Sequence, residues 1–168
     1  MEIERKFLIS ELPFSLEDYP FHLIEQAYLN TSPVIRIRRE DERFYLTYKS
    51  GGLMVREEYN LPLTREAYNH LLPKADGNII TKKRFLIPLN DTLTAELDCF
   101  LGAFEPLMLV EVEFSDEPSA RLFSPPDWFG CEVTFSPAYH NSTLSAMSAA
   151  QLKAKAFLPV GSRPGKKE

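Results

Sequence analysis

Cysteine is scarce in this 168-residue chain, and long apolar runs are missing. The two cysteines, Cys99 and Cys131, lie far apart and outside any C-x-x-C pair, which argues against a disulfide framework and a cysteine zinc site. No window approaches the roughly 18 apolar residues of a membrane span. Met1 is followed by Glu-Ile-Glu-Arg-Lys rather than by a basic leader with an apolar core. We therefore expect a cytoplasmic protein with free thiols and no membrane partner.

Positive charge is also in deficit, because 19 lysines and arginines face 24 aspartates and glutamates, for a formal net charge of −5. A dedicated nucleic-acid binder would carry an overall basic surface, so we expect no nucleic-acid partner. Apolar residues are plentiful: 44% of the chain is hydrophobic and 26% is charged, which excludes disorder over most of its length. The length fits a single domain with one core.

Short stretches of alternating apolar residues, separated by turn residues, predict eight β-strands. These strands are placed near residues 2–9, 21–29, 33–40, 43–49, 54–61, 79–87, 92–99 and 107–114. Many short strands with few helices indicate an antiparallel α+β fold that can close into a barrel.

Three helices are predicted around this sheet. The first runs from Thr64 to Leu72 with Thr64 as its N-cap, the second lies around Glu117 to Phe123, and the longest spans Leu144 to Phe157. We expect one domain over residues 1–160, and a disordered tail over residues 161–168, where Gly, Pro and Lys are concentrated.

Charged residues recur at alternate positions on six of the predicted strands. The sets are Glu2/Glu4/Lys6, Arg36/Arg38, Arg56/Glu58, Lys82/Arg84, Glu96/Asp98 and Glu111/Glu113. Residues i and i+2 of a strand share one face of the sheet. Neighbouring positions such as Ile37, Leu97 and Val112 are apolar, so the opposite face needs cover and the charges all lie on one side.

The charged side has an ordinary explanation and a functional one. Charged sheet faces are usually solvated, and each strand taken alone fits that explanation. A sheet closed with this side inward would instead enclose a polar tunnel. Basic strands would then bind phosphate oxygens, and acidic strands would hold Mg²⁺ or Mn²⁺. Both sets on one surface favour a phosphoryl-transfer or phosphate-hydrolysis site.

An ordered set of motifs sharpens this hypothesis. They are Glu2-Ile3-Glu4-Arg5-Lys6-Phe7, Ile24 to Leu29, Arg36-Ile37-Arg38, Leu46 to Lys49, Arg56-x-Glu58, Lys82-x-Arg84, Glu96-x-Asp98, Glu111-x-Glu113, Trp128 to Thr134 and Tyr139-His140-Asn141. Through these motifs the chain resembles the CYTH, or triphosphate tunnel metalloenzyme, family from residue 2 to about residue 144. The resemblance implies an eight-stranded antiparallel β-barrel with a charged lumen, a triphosphate substrate and dependence on Mg²⁺ or Mn²⁺.

The resemblance also implies a role for each matched residue. Phosphate binding is assigned to Lys6, Arg36, Arg38, Lys49, Arg56, Lys82 and Arg84, and metal binding to Glu2, Glu4, Glu96, Asp98, Glu111 and Glu113. Lys49 and Tyr28 match positions that help to place the attacking water. The alternative for Tyr28 is a barrel aromatic that satisfies its own hydroxyl. Glu58 and Glu132 are given supporting roles.

Two positions depart from the family pattern. Asn60 stands where the fifth strand often has a second acidic residue, and Phe135-Ser136 replace an acidic residue that commonly follows Val133-Thr134. Both changes could alter the preferred metal or substrate. His22, His70 and His140 follow no metal-ligand spacing, so we interpret them as surface or structural residues.

These observations predict a divalent-metal-dependent triphosphatase that hydrolyses inorganic tripolyphosphate to pyrophosphate and phosphate. The alternatives are a thiamine triphosphatase, a nucleoside triphosphatase, and a catalytically weak protein that binds polyphosphate or nucleotides. A class IV adenylate cyclase is disfavoured, because no residues indicate an adenine pocket. The expected partner is a small triphosphate, and a homodimer is left open because the barrels of this family often pair.

Overall fold

The computed structural model describes residues 1–155, which contain nine β-strands and four α-helices. The strands are β1 (Glu2–Leu8), β2 (Phe21–Thr31), β3 (Val34–Glu40), β4 (Arg43–Lys49), β5 (Val55–Arg56), β6 (Glu58–Pro62), β7 (Asp76–Pro88), β8 (Thr94–Phe100) and β9 (Met108–Glu113). The helices are α1 (Arg65–Leu71), α2 (Glu117–Leu122), α3 (Asn141–Ser145) and α4 (Ala149–Lys155). The expected tail over residues 161–168 lies outside the described residues.

All nine strands belong to one antiparallel sheet, in the order β5-β1-β9-β8-β7-β2-β3-β4-β6. β5 and β6 are neighbours in the chain, yet β5 pairs with β1 and β6 pairs with β4. The two ends of the sheet are therefore brought together into a nearly closed barrel. The predicted antiparallel barrel is confirmed, with one more strand than expected.

The additional strand arises from a break at Glu57 in the predicted strand 54–61. The backbone N–H of Ser50 donates to the Glu57 carbonyl (3.0 Å), and the Glu57 N–H donates to the Ser50 hydroxyl (2.9 Å). These bonds take the backbone of Glu57 out of the ladder, so the chain turns from the β1 edge to the β4 edge at this residue.

The outer face of the barrel is apolar wherever helices and loops cover it. One cluster beneath α2 and the loops includes Ile3, Phe7, Leu97, Val110 and Val112. A second cluster lies beneath α1, where Tyr68 packs on Ala27, Ile37 and Phe44. The α1 helix begins as predicted, because the Thr64 side chain accepts a hydrogen bond from the N–H of Ala67 (3.0 Å). The predicted need for cover at the apolar positions is confirmed.

The inner face changes from charged to apolar along the barrel axis. Leu8, Ile80, Phe100 and Leu109 belong to one buried cluster, and each lies two residues from a charged residue on the same face of its strand. Leu144 of α3 packs into this cluster and is fully buried. Helix α3 therefore closes the apolar end of the tunnel, and the charged residues line the remainder.

The prediction of one long helix from Leu144 to Phe157 is wrong within the described residues. Leu144 belongs to α3, which ends at the C-cap Ala146, and α4 begins only at Ala149. Ser148 and Gln151 form a capping box: the Gln151 N–H donates to the Ser148 hydroxyl (3.2 Å), and the Ser148 N–H donates to the Gln151 side chain (2.8 Å). This local start signal separates the two helices.

Gly77 lets β7 approach α3 closely. Its φ is +69°, and a Cβ atom at this position would lie 2.2 Å from the Ser145 carbonyl oxygen. Gly77→Ala should therefore lower the free energy of unfolding by about 1–3 kcal/mol or more, because it combines a left-handed backbone with a steric clash.

Chemical denaturation measures this change, and Gly51→Ala is the matched control. A Cβ at Gly51 would meet no atom within 4 Å, so that variant should stay within about 0.5 kcal/mol of the parent. Equal stability of the two variants would contradict the packing of α3 against β7.

Two further expectations concern the cysteines and the membrane. Cys99 and Cys131 are both free thiols, Cys99 half-buried and Cys131 exposed. None of the helices within residues 1–155 combines the length and the apolar character that crossing a bilayer requires.

Candidate active site

A cavity of about 480 Å³ occupies the charged part of the tunnel. The residues predicted for the site that line it are Glu2, Glu4, Lys6, Tyr28, Arg36, Arg38, Lys49, Arg56, Glu58, Arg84, Glu96, Glu111 and Glu113. The structure thus brings together residues from all nine strands. Lys82, Asp98 and Glu132 are the predicted residues that do not line this cavity.

Three arginines on the lining have only neutral hydrogen-bond partners among the described residues. Arg36 donates to the Thr47 hydroxyl (3.4 Å), Arg38 to the Gln26 side-chain oxygen, and Arg56 to the Ser50 carbonyl (3.1 Å). Within residues 1–155 none of the three is within ion-pair distance of a carboxylate. We call Arg36, Arg38 and Arg56 the free arginines. Their positive charge is available to an anion in the cavity.

The other cations of the lining are already paired with carboxylates. Lys6 Nζ lies 2.8 Å from Glu111 Oε1, and Lys49 Nζ lies 2.9 Å from Glu2 Oε2. Burial raises the pKa of Glu111, but the charges of Lys6 and Arg84 outweigh this effect and lower the pKa well below its ordinary value. Lys6 thus holds Glu111 in its ionised form, and both lysines have less charge left for a substrate.

Arg84 is the centre of the largest ion-pair network. Its guanidinium nitrogens bond Asp98 Oδ1 (2.7 Å), Glu96 Oε2 (2.5 Å) and Glu111 Oε2 (2.8 Å). Asp98 also lies 2.5 Å from Lys82, and both residues of that pair are at most 1% exposed. The Lys82–Asp98 pair therefore lies beneath the lining, where Asp98 supports Arg84. Burial lowers the pKa of Lys82 to about 7.

The strand register sets two carboxylates directly opposite one another. Glu4 of β1 faces Glu113 of β9 across the antiparallel ladder. Like charges in such a pair repel, and burial together with Glu58 and Glu4 raises the pKa of Glu113. Glu4 has one cation nearby, Lys6 at 3.9 Å. A cation bound between these two side chains would relieve the repulsion.

The same corner of the tunnel holds a second pair of carboxyl groups. Burial and a hydrogen bond to Glu58 raise the pKa of Glu2 well above its ordinary value, whereas Glu58 remains ionised beside Lys49. A proton on Glu2 would relieve the repulsion between the two groups. Neutralising charge in this way is the expected response of carboxylates that crowd together without a cation.

The carboxylates on β1, β8 and β9 form one wall of the cavity. Their chemistry fits a divalent cation, since carboxylate oxygens are the ligands that Mg²⁺ and Mn²⁺ prefer. Within residues 1–155, however, no three His, Cys, Asp or Glu side chains are already arranged as a metal site. Most of the carboxylates point to lysines and arginines instead. Metal binding therefore has to draw them from these ion pairs.

Tyr28 and Asn60 also lie on the lining. Tyr28 is 3% exposed and also packs with the apolar end of the tunnel. Asn60, which stands where the family often has an acid, accepts a hydrogen bond from Thr47 (2.6 Å) and donates one to Glu58 (2.9 Å). Asn60 thus links Thr47, the hydrogen-bond partner of Arg36, to the Glu58 carboxylate.

The segment that closes the tunnel contributes three lining residues that the sequence did not indicate. They are His140, Asn141 and Ser142, at the start of α3. Burial and the nearby cations Lys6 and Arg56 lower the pKa of His140 to about 4, so the imidazole is neutral at pH 7. The motif Tyr139-His140-Asn141 was the one sequence feature that could have indicated that this segment belongs to the site.

Glu132 stands apart from the tunnel. Its two carboxylate oxygens accept hydrogen bonds from Arg5 (2.8 Å each), whose remaining nitrogen donates to the carbonyls of Ala120 and Phe123. Thr134 links this pair to β1, because its hydroxyl donates to Glu132 and accepts from the N–H of Lys6. Glu132 therefore fastens α2 to the strand that carries Lys6.

Comparisons with known proteins agree on one family. The model of the CYTH domain matches residues 1–122. An inorganic triphosphatase from Nitrosomonas europaea is 40% identical over 149 residues, covering 86% of this chain and 96% of the relative. An inorganic triphosphatase from Acetivibrio thermocellus is 33% identical over 147 residues, covering 85% and 92%.

The fold is similar to solved structures as well. A crystal structure of an inorganic triphosphatase superposes with a TM-score of 0.67 at 36% identity, covering 88% of this chain and 96% of that one. The matched region contains the barrel and all of the strands that line the cavity. On this evidence the chain belongs to the CYTH domain family.

Proposed function

We propose that this protein is a divalent-metal-dependent inorganic triphosphatase, which hydrolyses tripolyphosphate to pyrophosphate and phosphate. The observation that carries the proposal is the division of the cavity into two walls. Arg36 and Arg38 of β3 form one wall, the carboxylates of β1, β8 and β9 form the other, and Arg56 of β5 lies at the edge of the carboxylate wall beside Glu2. A short polyanion that carries a metal ion matches both walls at once.

The free arginines would bind the phosphate oxygens. Arg36 is 5% exposed, and its Nε atom has no hydrogen-bond partner among the described residues. A buried donor without a partner costs free energy until a ligand satisfies it. Arg38 and Arg56 present further donors, so phosphate groups can be bound side by side along the tunnel.

The carboxylate wall would hold the metal, with Glu4 and Glu113 as the first ligands and Glu2, Glu96 and Glu111 beside them. When bound, the ion would neutralise phosphate charge and polarise the bond to be broken. Asp98 and Lys82 were assigned to metal and phosphate, and those roles stay predictions, because both side chains lie beneath the lining. We include Mg²⁺ or Mn²⁺ as the cation in the proposal.

Water would attack the terminal phosphorus, the bridging P–O bond would break, and pyrophosphate would leave. Lys49 is placed to orient the reacting groups, since its Nζ lies between Glu2 (2.9 Å) and Glu58 (3.5 Å) on the cavity lining. We retain Lys49 and Tyr28 as the residues that position this water. The side chains of Lys49 and Tyr28 would hold the water in place for attack. The free arginines would stabilise the negative charge that develops on the phosphate.

A substrate panel tests the proposal. Tripolyphosphate, thiamine triphosphate, ATP and long-chain polyphosphate are each incubated with Mg²⁺, Mn²⁺ or EDTA, and the released phosphate is measured. We expect the fastest release from tripolyphosphate with metal and none with EDTA. Removing the metal should cost at least about 10³-fold in rate, because carboxylates and phosphates then repel one another.

The other outcomes identify the alternatives. Tight binding of tripolyphosphate without metal-dependent release of phosphate would indicate a binding protein. Faster turnover of thiamine triphosphate or ATP would point to those substrates instead. Production of cyclic AMP and pyrophosphate from ATP would indicate a cyclase and overturn the proposal.

A further inference from the structure

Gln26 of β2 lies directly opposite Arg38 of β3 in the strand register, and it is fully buried. Its side-chain oxygen accepts two hydrogen bonds from the guanidinium, from Nε at 3.1 Å and from Nη2 at 2.8 Å. The oxygen must face Arg38, since a guanidinium only donates. Among residues 1–155 the Arg38 side chain donates to no other acceptor.

The partner of Arg38 is neutral, like those of Arg36 and Arg56, whereas the other cations of the lining have charged partners. Arg84, Lys6 and Lys49 each lie within 3 Å of a carboxylate. Burial and the charges of Arg36 and Arg84 lower the pKa of Arg38 to about 10, so the guanidinium is still fully charged at neutral pH. An amide therefore fixes the side chain and leaves its charge uncompensated.

The amide is costly for the free protein. The Nε2 atom of Gln26 is buried and has no hydrogen-bond partner among the described residues. A carboxylate at this position would keep both bonds to Arg38 and strengthen them, but it would bury a second, charged oxygen in place of the unsatisfied donor. The amide therefore differs from a glutamate chiefly in leaving the charge of Arg38 for the ligand.

We propose that Gln26 is a positioning residue that aims Arg38 at the bound polyphosphate while keeping the full positive charge of Arg38 for that ligand. The inference rests on the proposed function for the identity of the ligand, and on the contacts of Gln26 for its mechanism. It predicts that the charge of the residue at position 26 matters more than its ability to form hydrogen bonds.

Two variants separate charge from hydrogen bonding. Gln26→Glu keeps the acceptor and adds a negative charge, so the KM for tripolyphosphate should rise by about tenfold or more while kcat changes less. Gln26→Met keeps the volume and neutrality but removes the acceptor, so its KM should rise by only about threefold. Thermal unfolding of both variants checks that the change in KM does not come from a loss of folded protein.

The matched control is Gln151→Glu on α4, the same change at an exposed position where the side-chain oxygen also accepts a hydrogen bond. It adds the same charge to the protein and should leave KM unchanged. Normal KM in Gln26→Glu, or a larger KM in Gln26→Met than in Gln26→Glu, would overturn the proposal, since either result means that Gln26 acts only as a mechanical support.

Calorimetric titration of tripolyphosphate in the presence of EDTA gives a second readout that needs neither metal nor turnover. The dissociation constant should follow the same order, with Gln26→Glu the weakest binder. If the parent protein fails to hydrolyse tripolyphosphate but binds it, the proposed function fails and the order of affinities still tests Gln26. Equal affinities for the parent and Gln26→Glu would overturn the role of Gln26 alone.

Discussion

Glu4→Gln should reduce the kcat/KM for tripolyphosphate by on the order of 10²–10³-fold without destabilising the protein. An amide has the shape of the carboxylate but is a much weaker ligand for a hard divalent cation. The fold depends little on this carboxylate, because its nearest cation is Lys6 at 3.9 Å. Across the ladder it faces Glu113, so removing its charge relieves a repulsion.

Three measurements check this expectation together. Steady-state kinetics should show the loss of activity, calorimetric titration with Mn²⁺ should show weaker metal binding, and thermal unfolding should give an unchanged or higher midpoint. Glu11→Gln, in an exposed loop, is the control for the loss of one negative charge. Near-normal turnover with unchanged Mn²⁺ affinity would show that Glu4 is no metal ligand.

Arg84→Ala should lower the free energy of unfolding by about 3–5 kcal/mol, in addition to its effect on catalysis. The guanidinium bonds both oxygens of Asp98 and also Glu96 and Glu111. Asp98 is 1% exposed and Glu111 is 8% exposed, so water cannot replace the lost partner. Removing one member of such a network leaves buried negative charge that nothing fully compensates.

Chemical denaturation measures the loss, and a surface ion pair provides the comparison. Arg121 and Glu117 are 3.3 Å apart on α2, with side chains 69% and 46% exposed. Arg121→Ala should therefore change stability by no more than about 0.5 kcal/mol. Arg84→Lys should be intermediate, because it keeps the charge and loses the planar fork. A loss below about 1 kcal/mol in Arg84→Ala would contradict the structural role of the network.

Most of the site was predicted from the two-residue period at which charged residues recur. A strand alternates its faces, so pairs such as Arg36 with Arg38 and Glu111 with Glu113 had to share a face. Apolar neighbours such as Val112 indicated that the opposite face needs cover, which left the charged face either solvated or enclosed. The two-residue period does not depend on the turns, so errors in the strand boundaries leave it unchanged.

The depth of each residue along the tunnel could not be derived from the same pattern. Lys82 and Arg84 share one face of β7, yet Arg84 lines the cavity and Lys82 is fully buried next to Asp98. Lys82 Nζ also lies 3.3 Å from Asn141 at the start of α3. The position of α3 depends on packing between distant parts of the chain, which a strand pattern does not contain.

Neutral residues were missed for a related reason. A search for charged pairs passes over Gln26 and His140, although both lie among the charged side chains of the tunnel. Gln26 occupies the inner face of β2 between His22 and Tyr28, and both of those residues line the cavity. An amide on a buried face with arginines on the next strand is the feature that would have indicated it.

The split between β5 and β6 has a mechanical consequence for the barrel. Only two register pairs, Glu2 with Arg56 and Ile3 with Val55, join β5 to β1, whereas β6 pairs with β4 over five residues. Parting the wall along this seam breaks few backbone hydrogen bonds and leaves the ladders from β1 round to β4 intact. Local opening is least costly where the fewest bonds must break, so the barrel behaves as a cylinder with a single weak closure beside Glu2 and Arg56.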